Sequence, residues 1–260
     1  RQTVEQSPCV WPTLELSLQD LPRRHPVQQA IKRLLDIVLA GGGLLLLSPL
    51  LIAVAVLIKC TSPGPLFFIH RRECKGGRKF GCIKFRTMVP DAHAKQRDLY
   101  KQNQVDGPQF KIKSDPRVTR VGRWLRATNL DELPQLLNVL AGHMSLVGPR
   151  PSPFRENQIC VAWRRARLSV RPGITGLWQI CRDRENDADF HQWIFYDITY
   201  VRNFSLWLDL KILVRTILSG GGRKRVALEK LLPIPDPNAG APILNRGRTN
   251  GRAGVTGSRA

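Results

Sequence analysis

The sequence predicts an α+β fold: a mainly helical domain with one small β-hairpin, preceded by a helix-break-helix that enters and leaves a membrane on the same side. Three observations predict it. Residues 37–58 form an uncharged, apolar run of about 22 residues, enough for a membrane helix. Residues 66–69 and 80–87 are short strand-like runs separated by Lys75-Gly-Gly-Arg78, a hairpin-turn composition. Beyond residue 91 the apolar spacing is mostly helical.

Residues 1–30 mix Pro12, Pro22 and Pro26 with polar residues and show no sustained period, as expected of a linker or tether. The first residue, Arg1, and the lack of a signal-peptide pattern lead us to expect a fragment of a longer protein. Residues 31–60 hold the membrane segment. Ser48-Pro49 sits in its middle, where proline removes a helix hydrogen bond and serine can satisfy the freed carbonyl. Each half then spans roughly 15 to 18 Å at 1.5 Å per residue, about half of a hydrocarbon core. Lys32 and Arg33 before the run, and Lys59, Arg71 and Arg72 after it, place both ends on the cytoplasmic side. A re-entrant hairpin hinged at Ser48 and Pro49 meets both constraints.

Residues 61–222 form the main domain. Strand alternation puts Lys84 and Arg86 on one face, suited to phosphate oxygens or to solvent. A polar helix is expected over residues 91–104, and residues 115–126 bring four arginines ahead of Asp131-Glu132. Pro134 is tolerated only in a first turn, so a helix carrying Leu133, Leu136, Leu137 and Leu140 starts just before it. The dyad then lies at the positive end of that helix, with Arg126 one turn earlier, a setting that favours phosphate chemistry. Taken alone, the stretch is also explained by Asn129 or Asp131 capping a structural helix.

Arg150 and Arg171 each belong to a stiff loop that also holds proline and glycine, which suits either a phosphate clamp or ordinary turns. Residues 152–168 read as a basic helix. Residues 190–201 read as a helix with Trp193, Tyr196, Asp197 and Tyr200 on one face. Residues 206–218 form an apolar helix broken by Asp209, Lys211 and Arg215, fit for a core or a membrane interface. Acidic residues 183–189 read as a solvated loop rather than a metal loop. Residues 223–260 read as a disordered basic tail.

Composition narrows the partner. The chain carries 41 Lys and Arg against 20 Asp and Glu, a formal charge of +21, which calls for an anion: nucleic acid, an anionic membrane or a phosphorylated substrate. Six cysteines without a CxxC pair and five scattered histidines argue against zinc. A basic membrane-tethered module without chemistry, a scaffold or anion binder, would share charge and anchor. It would also be expected to interleave stacking aromatics or carry a nucleic-acid motif, and neither is found, so no nucleic-acid partner is expected.

Seven motifs occur in one order: the Ser48-Pro49 segment, Lys84-Phe-Arg-Thr-Met88, Asp115-Pro-Arg-Val-Thr-Arg-Val-Gly122, Leu130-Asp-Glu-Leu-Pro-Gln135, Met144-Ser-Leu-Val-Gly-Pro-Arg-Pro151, Arg171-Pro-Gly-Ile-Thr-Gly176 and Tyr196-Asp-Ile-Thr-Tyr-Val-Arg-Asn203. Together, over about residues 31 to 220, they resemble the bacterial sugar transferase family, the monotopic polyprenyl-phosphate phosphoglycosyl transferases. The resemblance implies an enzyme of the bacterial inner membrane, its catalytic domain on the cytoplasmic face. It would move a phosphosugar from a UDP-sugar to undecaprenyl phosphate, releasing UMP, as the first membrane step of polysaccharide or glycoconjugate assembly. It implies Mg2+, Asp131 as the nucleophile of an aspartyl-phosphosugar intermediate, and Glu132 as its helper in metal and charge placement. Lys84, Arg86, Arg126, Arg150, Arg171 and Asp197 would bind phosphate or nucleotide. A homodimer is compatible with it. Gly142-His143-Met144 and Arg71-Arg-Glu-Cys-Lys75 depart from the family pattern.

Overall fold

Proline suits the first position of a helix because no backbone donor is needed there, and helix α1 opens on Pro26 and runs to Thr61. The computed structural model describes residues 26–103, 110, 112, 114–159, 161–182, 190–222 and 224–233. Of the linker expected over residues 1–30, residues 26–30 belong instead to helix α1, and residues 1–25 lie outside the described residues, as does the acidic loop over 183–189. Helix α1 passes through Pro49 without ending, so the expected break into two helices is instead a patched defect. Pro49 offers no N–H to the Leu45 carbonyl, and the Ser48 hydroxyl donates to that oxygen at 2.7 Å.

Both sides of Pro49 rest on the same folded unit. Before it, Ala40 is buried with Leu136, Val139 and Met144. Arg33 donates to the Val139 and Leu140 carbonyls at 2.6 and 2.9 Å, and Asp36 accepts from Ser145 Oγ and Leu146 N at 3.0 and 2.9 Å. After it, Val54 and Ile58 are buried with Phe85 and Leu125. Leu45 and Leu46, next to the proline, are 79% and 80% exposed.

Strands β1 (Phe67–Glu73) and β2 (Lys79–Phe85) form the expected antiparallel hairpin. Its turn uses Gly76 and Gly77, both at φ +76°, where a side chain would be strained. The expected shared face of Lys84 and Arg86 is not formed. β2 stops at Phe85, and the Arg86 guanidinium turns back to the Ser62 and Pro63 carbonyls that follow α1.

Helix α2 (Ala92–Gln96) continues as a 3-10 stretch, Arg97–Gln102. Helix α3 (Arg120–Thr128) is capped by Thr119, whose side chain accepts from Gly122 N at 2.9 Å. Asn129 ends it in the left-handed region at φ +57°. A 3-10 turn, Leu130–Glu132, then leads through Pro134 into α4 (Gln135–Leu140). The dyad therefore sits on the turn before α4 and not in a helix's first turn, which removes the helix-dipole argument made from sequence.

Strands β3 (Ser145–Val147) and β4 (Gly173–Thr175) pair in parallel, a contact the sequence did not suggest. Glycine allows it: a Cβ on Gly173 would lie 2.1 Å from Gly148 N. The expected basic helix is two, α5 (Phe154–Ile159) and α6 (Val161–Arg167). Helices α7 (Leu177–Ile180), α8 (Phe190–Arg202) and α9 (Leu206–Leu218) complete the unit. Trp193, Tyr196, Asp197 and Tyr200 all point inward from α8.

The described residues up to Val226 belong to one compact unit. The tail expected from residue 223 thus begins later: Arg225 Nε donates to Cys181 O at 3.0 Å and Val226 N to Ile180 O at 2.8 Å. Residues from Ala227 form a second unit, of which 227–233 are described, with a 3-10 turn at Leu228–Lys230. The rest of the expected tail, 234–260, lies outside the described residues.

Candidate active site

The hairpin supplies the floor of a cleft of about 170 Å³. Cross-strand pairs share a face, so Phe68↔Lys84, His70↔Cys82 and Arg72↔Phe80 place Arg72, Cys82 and Lys84 on one side of the hairpin, and these three line the cleft. Asn129, Glu132 and Gln135 come from the turn into α4. Arg150 and Pro151 follow β3, and Trp178, Gln179 and Arg182 come from α7 and its end. Four cations therefore line the cleft against one carboxylate.

Lys84 Nζ donates to Glu132 Oε1 at 2.5 Å, closing a contact between residues 48 apart. Burial alone would raise the Glu132 carboxyl, but the charge and hydrogen bond of Lys84, with Arg150 and Arg182, hold it below the usual range. Asp131 is buried and does not line the cleft. Successive side chains of a 3-10 turn point about 120° apart, so neighbours on the turn face different ways. Burial, and then the charge of Glu132, push Asp131 up to about 6, against the pull of Lys84 and Arg126.

The other predicted site residues divide. Arg126 Nε donates to Thr87 Oγ1 at 2.9 Å; its burial lowers its pKa, and the charge of Asp131 opposes this. Arg150 lies in the cleft with its guanidinium 4.1 Å from the Trp193 ring centre and 5.8 Å from that of Trp178. Asp197 is behind it: Oδ1 accepts from Arg150 N at 3.0 Å and Oδ2 from Arg167 Nε at 2.8 Å. Burial raises the Asp197 carboxyl, and Arg167 and Arg150 pull it back. Arg167 also donates to Asn157 Oδ1 and Ser152 Oγ, fixing the chain on both sides of Pro151. Arg86 and Arg171 do not line the cleft. Arg171 Nε donates to Gly142 O at 2.9 Å and borders a separate cleft beside Lys32, Arg33 and Asp36.

Sequence reasoning missed Arg72, Asn129, Gln135, Trp178, Gln179 and Arg182 in this cleft. Strand parity with Lys84 was the available signal for Arg72. For the α7 residues there was none, because long-range contacts bring them near the dyad, as where Asn129 and Gln179 both donate to Gly221 O.

Magnesium is usually held by one or two carboxylates together with substrate phosphates. Among the described residues no group of three His, Cys, Asp or Glu could hold a metal alone. Of the two dyad carboxylates, Glu132 lines the cleft beside the cations and fits that shared mode, whereas Asp131 lies buried next to it and outside the lining.

The sequence pattern of the family described as Bacterial sugar transferase matches residues 27–221. The chain is 42% identical over 196 residues to the galactosyl transferase CpsE of Streptococcus agalactiae serotype III (strain NEM316), covering 74% of this chain and 43% of that protein. It is 40% identical over 197 residues to the exopolysaccharide production protein ExoY of Sinorhizobium fredii (strain NBRC 101917 / NGR234), covering 74% of this chain and 86% of ExoY. It is 42% identical over 206 residues to a UDP-N-acetylgalactosamine-undecaprenyl-phosphate N-acetylgalactosaminephosphotransferase of Aeromonas hydrophila, covering 76% of this chain and 46% of that protein. The chain thus spans less than half of two of these relatives. With its pattern matched across the hairpin, the dyad and the Arg150 loop, the chain belongs to the bacterial sugar transferase family.

Proposed function

We propose that this protein transfers a phosphosugar from a UDP-sugar to undecaprenyl phosphate, or a similar polyprenyl phosphate, through an Asp131 phosphosugar intermediate. The observation that carries the reading is a carboxylate pair at one cleft: Glu132 lines it with Arg72, Lys84, Arg150 and Arg182, and Asp131 is buried next to Glu132. A carboxylate attacks a diphosphate only after the diphosphate's charge is offset, and these cations are placed to do so. Asp131 Oδ would form a bond to the sugar-proximal phosphorus while the bond to the UMP oxygen breaks, UMP leaving with the electron pair. An oxygen of the polyprenyl phosphate would then bond to the same phosphorus and release the Asp131 carboxylate. Lys84 would hold Glu132 ionised and in place. Glu132, which lines the cleft, and the substrate phosphates would hold Mg2+, which would supply further charge neutralisation.

The membrane arrangement belongs to the same proposal. Contacts from both sides of Pro49 to one folded unit favour both ends of α1 lying on that unit's side of the bilayer, with exposed Leu45 and Leu46 immersed. The inner membrane, with the domain facing the cytoplasm, is the setting where a UDP-sugar and a polyprenyl phosphate meet.

The test is UMP release by detergent-extracted protein given a panel of UDP-sugars, with and without polyprenyl phosphate. UMP should appear with at least one donor, and label from the sugar should stay on the protein until acceptor is added. Appearance of UMP only when both substrates are present would replace the covalent route with direct attack by the lipid phosphate. No UMP from any donor would leave a basic anion-binding module as the better reading.

A further inference from the structure

We infer that Arg72 is a phosphate-binding residue of the cleft, its guanidinium joining that of Arg150 on the diphosphate of one nucleotide ligand. The inference rests on the donor reading above and gives Arg72 a defined contact within it. Arg72 is held on a paired strand opposite Phe80, so its backbone is fixed before any ligand arrives. Its Nη1 donates to Pro151 O at 3.1 Å, which ties it to the same loop that carries Arg150. Its Nε is buried and meets no acceptor among the described residues. A guanidinium has five N–H donors in a fixed fork, and leaving one buried without an acceptor is costly unless a ligand supplies oxygen.

Charge points the same way. Neither Arg72 nor Arg150 forms an ion pair among the described residues, although both line the cleft. Burial and then the charge of Arg150 lower Arg72 to about 10, and burial lowers Arg150 as well. The charge of Glu156 offsets part of this at both arginines, and an anion shared between the two guanidinium groups would offset more. A diphosphate matches them better than a single phosphate, because it offers several oxygens and more than one negative charge across its two groups.

The probe is UDP, titrated by calorimetry into full-length protein and into Arg72→Gln and Arg72→Lys variants, with melting temperature measured for each. Arg72→Gln removes the charge together with the Nη1 donor to Pro151 O, whereas Arg72→Lys keeps the charge. Arg72→Gln should weaken UDP binding about 10- to 100-fold, the loss expected for a charge-assisted contact. The dependence of affinity on salt should become shallower, and Arg72→Lys should recover part of the loss. Affinity within threefold of the wild type in Arg72→Gln overturns the inference. So does a fall in affinity with unchanged salt dependence and no recovery in Arg72→Lys, since that marks a purely structural role. A wild-type protein that does not bind UDP overturns the donor reading itself.

Discussion

Asp131 is held in a place that disfavours its own charge, and this separates its contribution to stability from its contribution to chemistry. Its pKa is raised from 3.8 to about 6, so the ionised form is less stable in the folded protein than in the unfolded chain. The stability that goes with protonation is present at low pH and lost as pH rises through about 6. Asp131→Asn removes the charge at nearly constant volume. It should raise stability at pH 7.5 by about 1 to 3 kcal/mol, read as a higher melting temperature in the presence of a chelator, while abolishing retention of sugar label. A melting temperature equal to or below the wild type would show that Asp131 is better stabilised than its burial implies. Glu132→Gln should behave differently: turnover should slow while some labelled intermediate still forms, because the nucleophile remains. Label trapped equally well on Asp131→Asn would remove Asp131 from the nucleophile role. Asp197→Asn should instead cost stability, about 3 to 5 kcal/mol, since Arg167 would be left as a buried charge without its carboxylate.

Among the elements, α1 and the hairpin show how far the sequence reaches. The apolar run, Ser48 patching the Pro49 defect and the Gly-Gly turn were legible because each depends on residues within one turn of one another. Asp36 escaped notice: it stands at the edge of the apolar run and looks like a flank, yet it is buried and joins α1 to β3. Lys32 likewise pairs with Asp209 of α9 at 2.7 Å, across 177 positions. Such contacts are fixed by packing and leave no local periodicity. The same limit explains the cations: Lys84 and Arg150 were found, whereas Arg86 and Arg171 serve carbonyls elsewhere and Arg72 was overlooked. The topology of α1 is open to a direct test. Cys60 is exposed near its end, and Val27 is 62% exposed near its start. With Cys9 and Cys160 changed to serine, Cys60 and Val27→Cys should both react with an impermeant thiol reagent from the cytoplasmic side. Reaction from opposite sides would show a true span and end the re-entrant reading.

At the scale of the whole molecule, the question is where the folded transferase unit stops. From sequence the boundary falls after the run of glycines at Gly220, Gly221 and Gly222, beyond which a disordered basic tail is expected. All three adopt positive φ, yet they form an ordered turn, with Asn129 Nδ2 donating to Gly221 O at 3.0 Å. Arg225 and Val226 then bond to Cys181 O and Ile180 O, at the end of α7, beside Arg182 in the cleft. A chain ending at Gly222 loses both bonds, worth about 2 kcal/mol together, or roughly 4 to 8 °C in melting temperature for a domain of this size. Because α7 carries Trp178 and Gln179, the same cut should also lower UMP release. A chain ending at Val226 keeps both bonds and the whole first unit, so its melting temperature and UMP release should match those of the full chain. The two truncations differ by four residues, which makes the comparison sharp. Equal activity and stability in both would return the boundary to the glycines, and loss of activity in both would give residues beyond Val226 a part in the reaction.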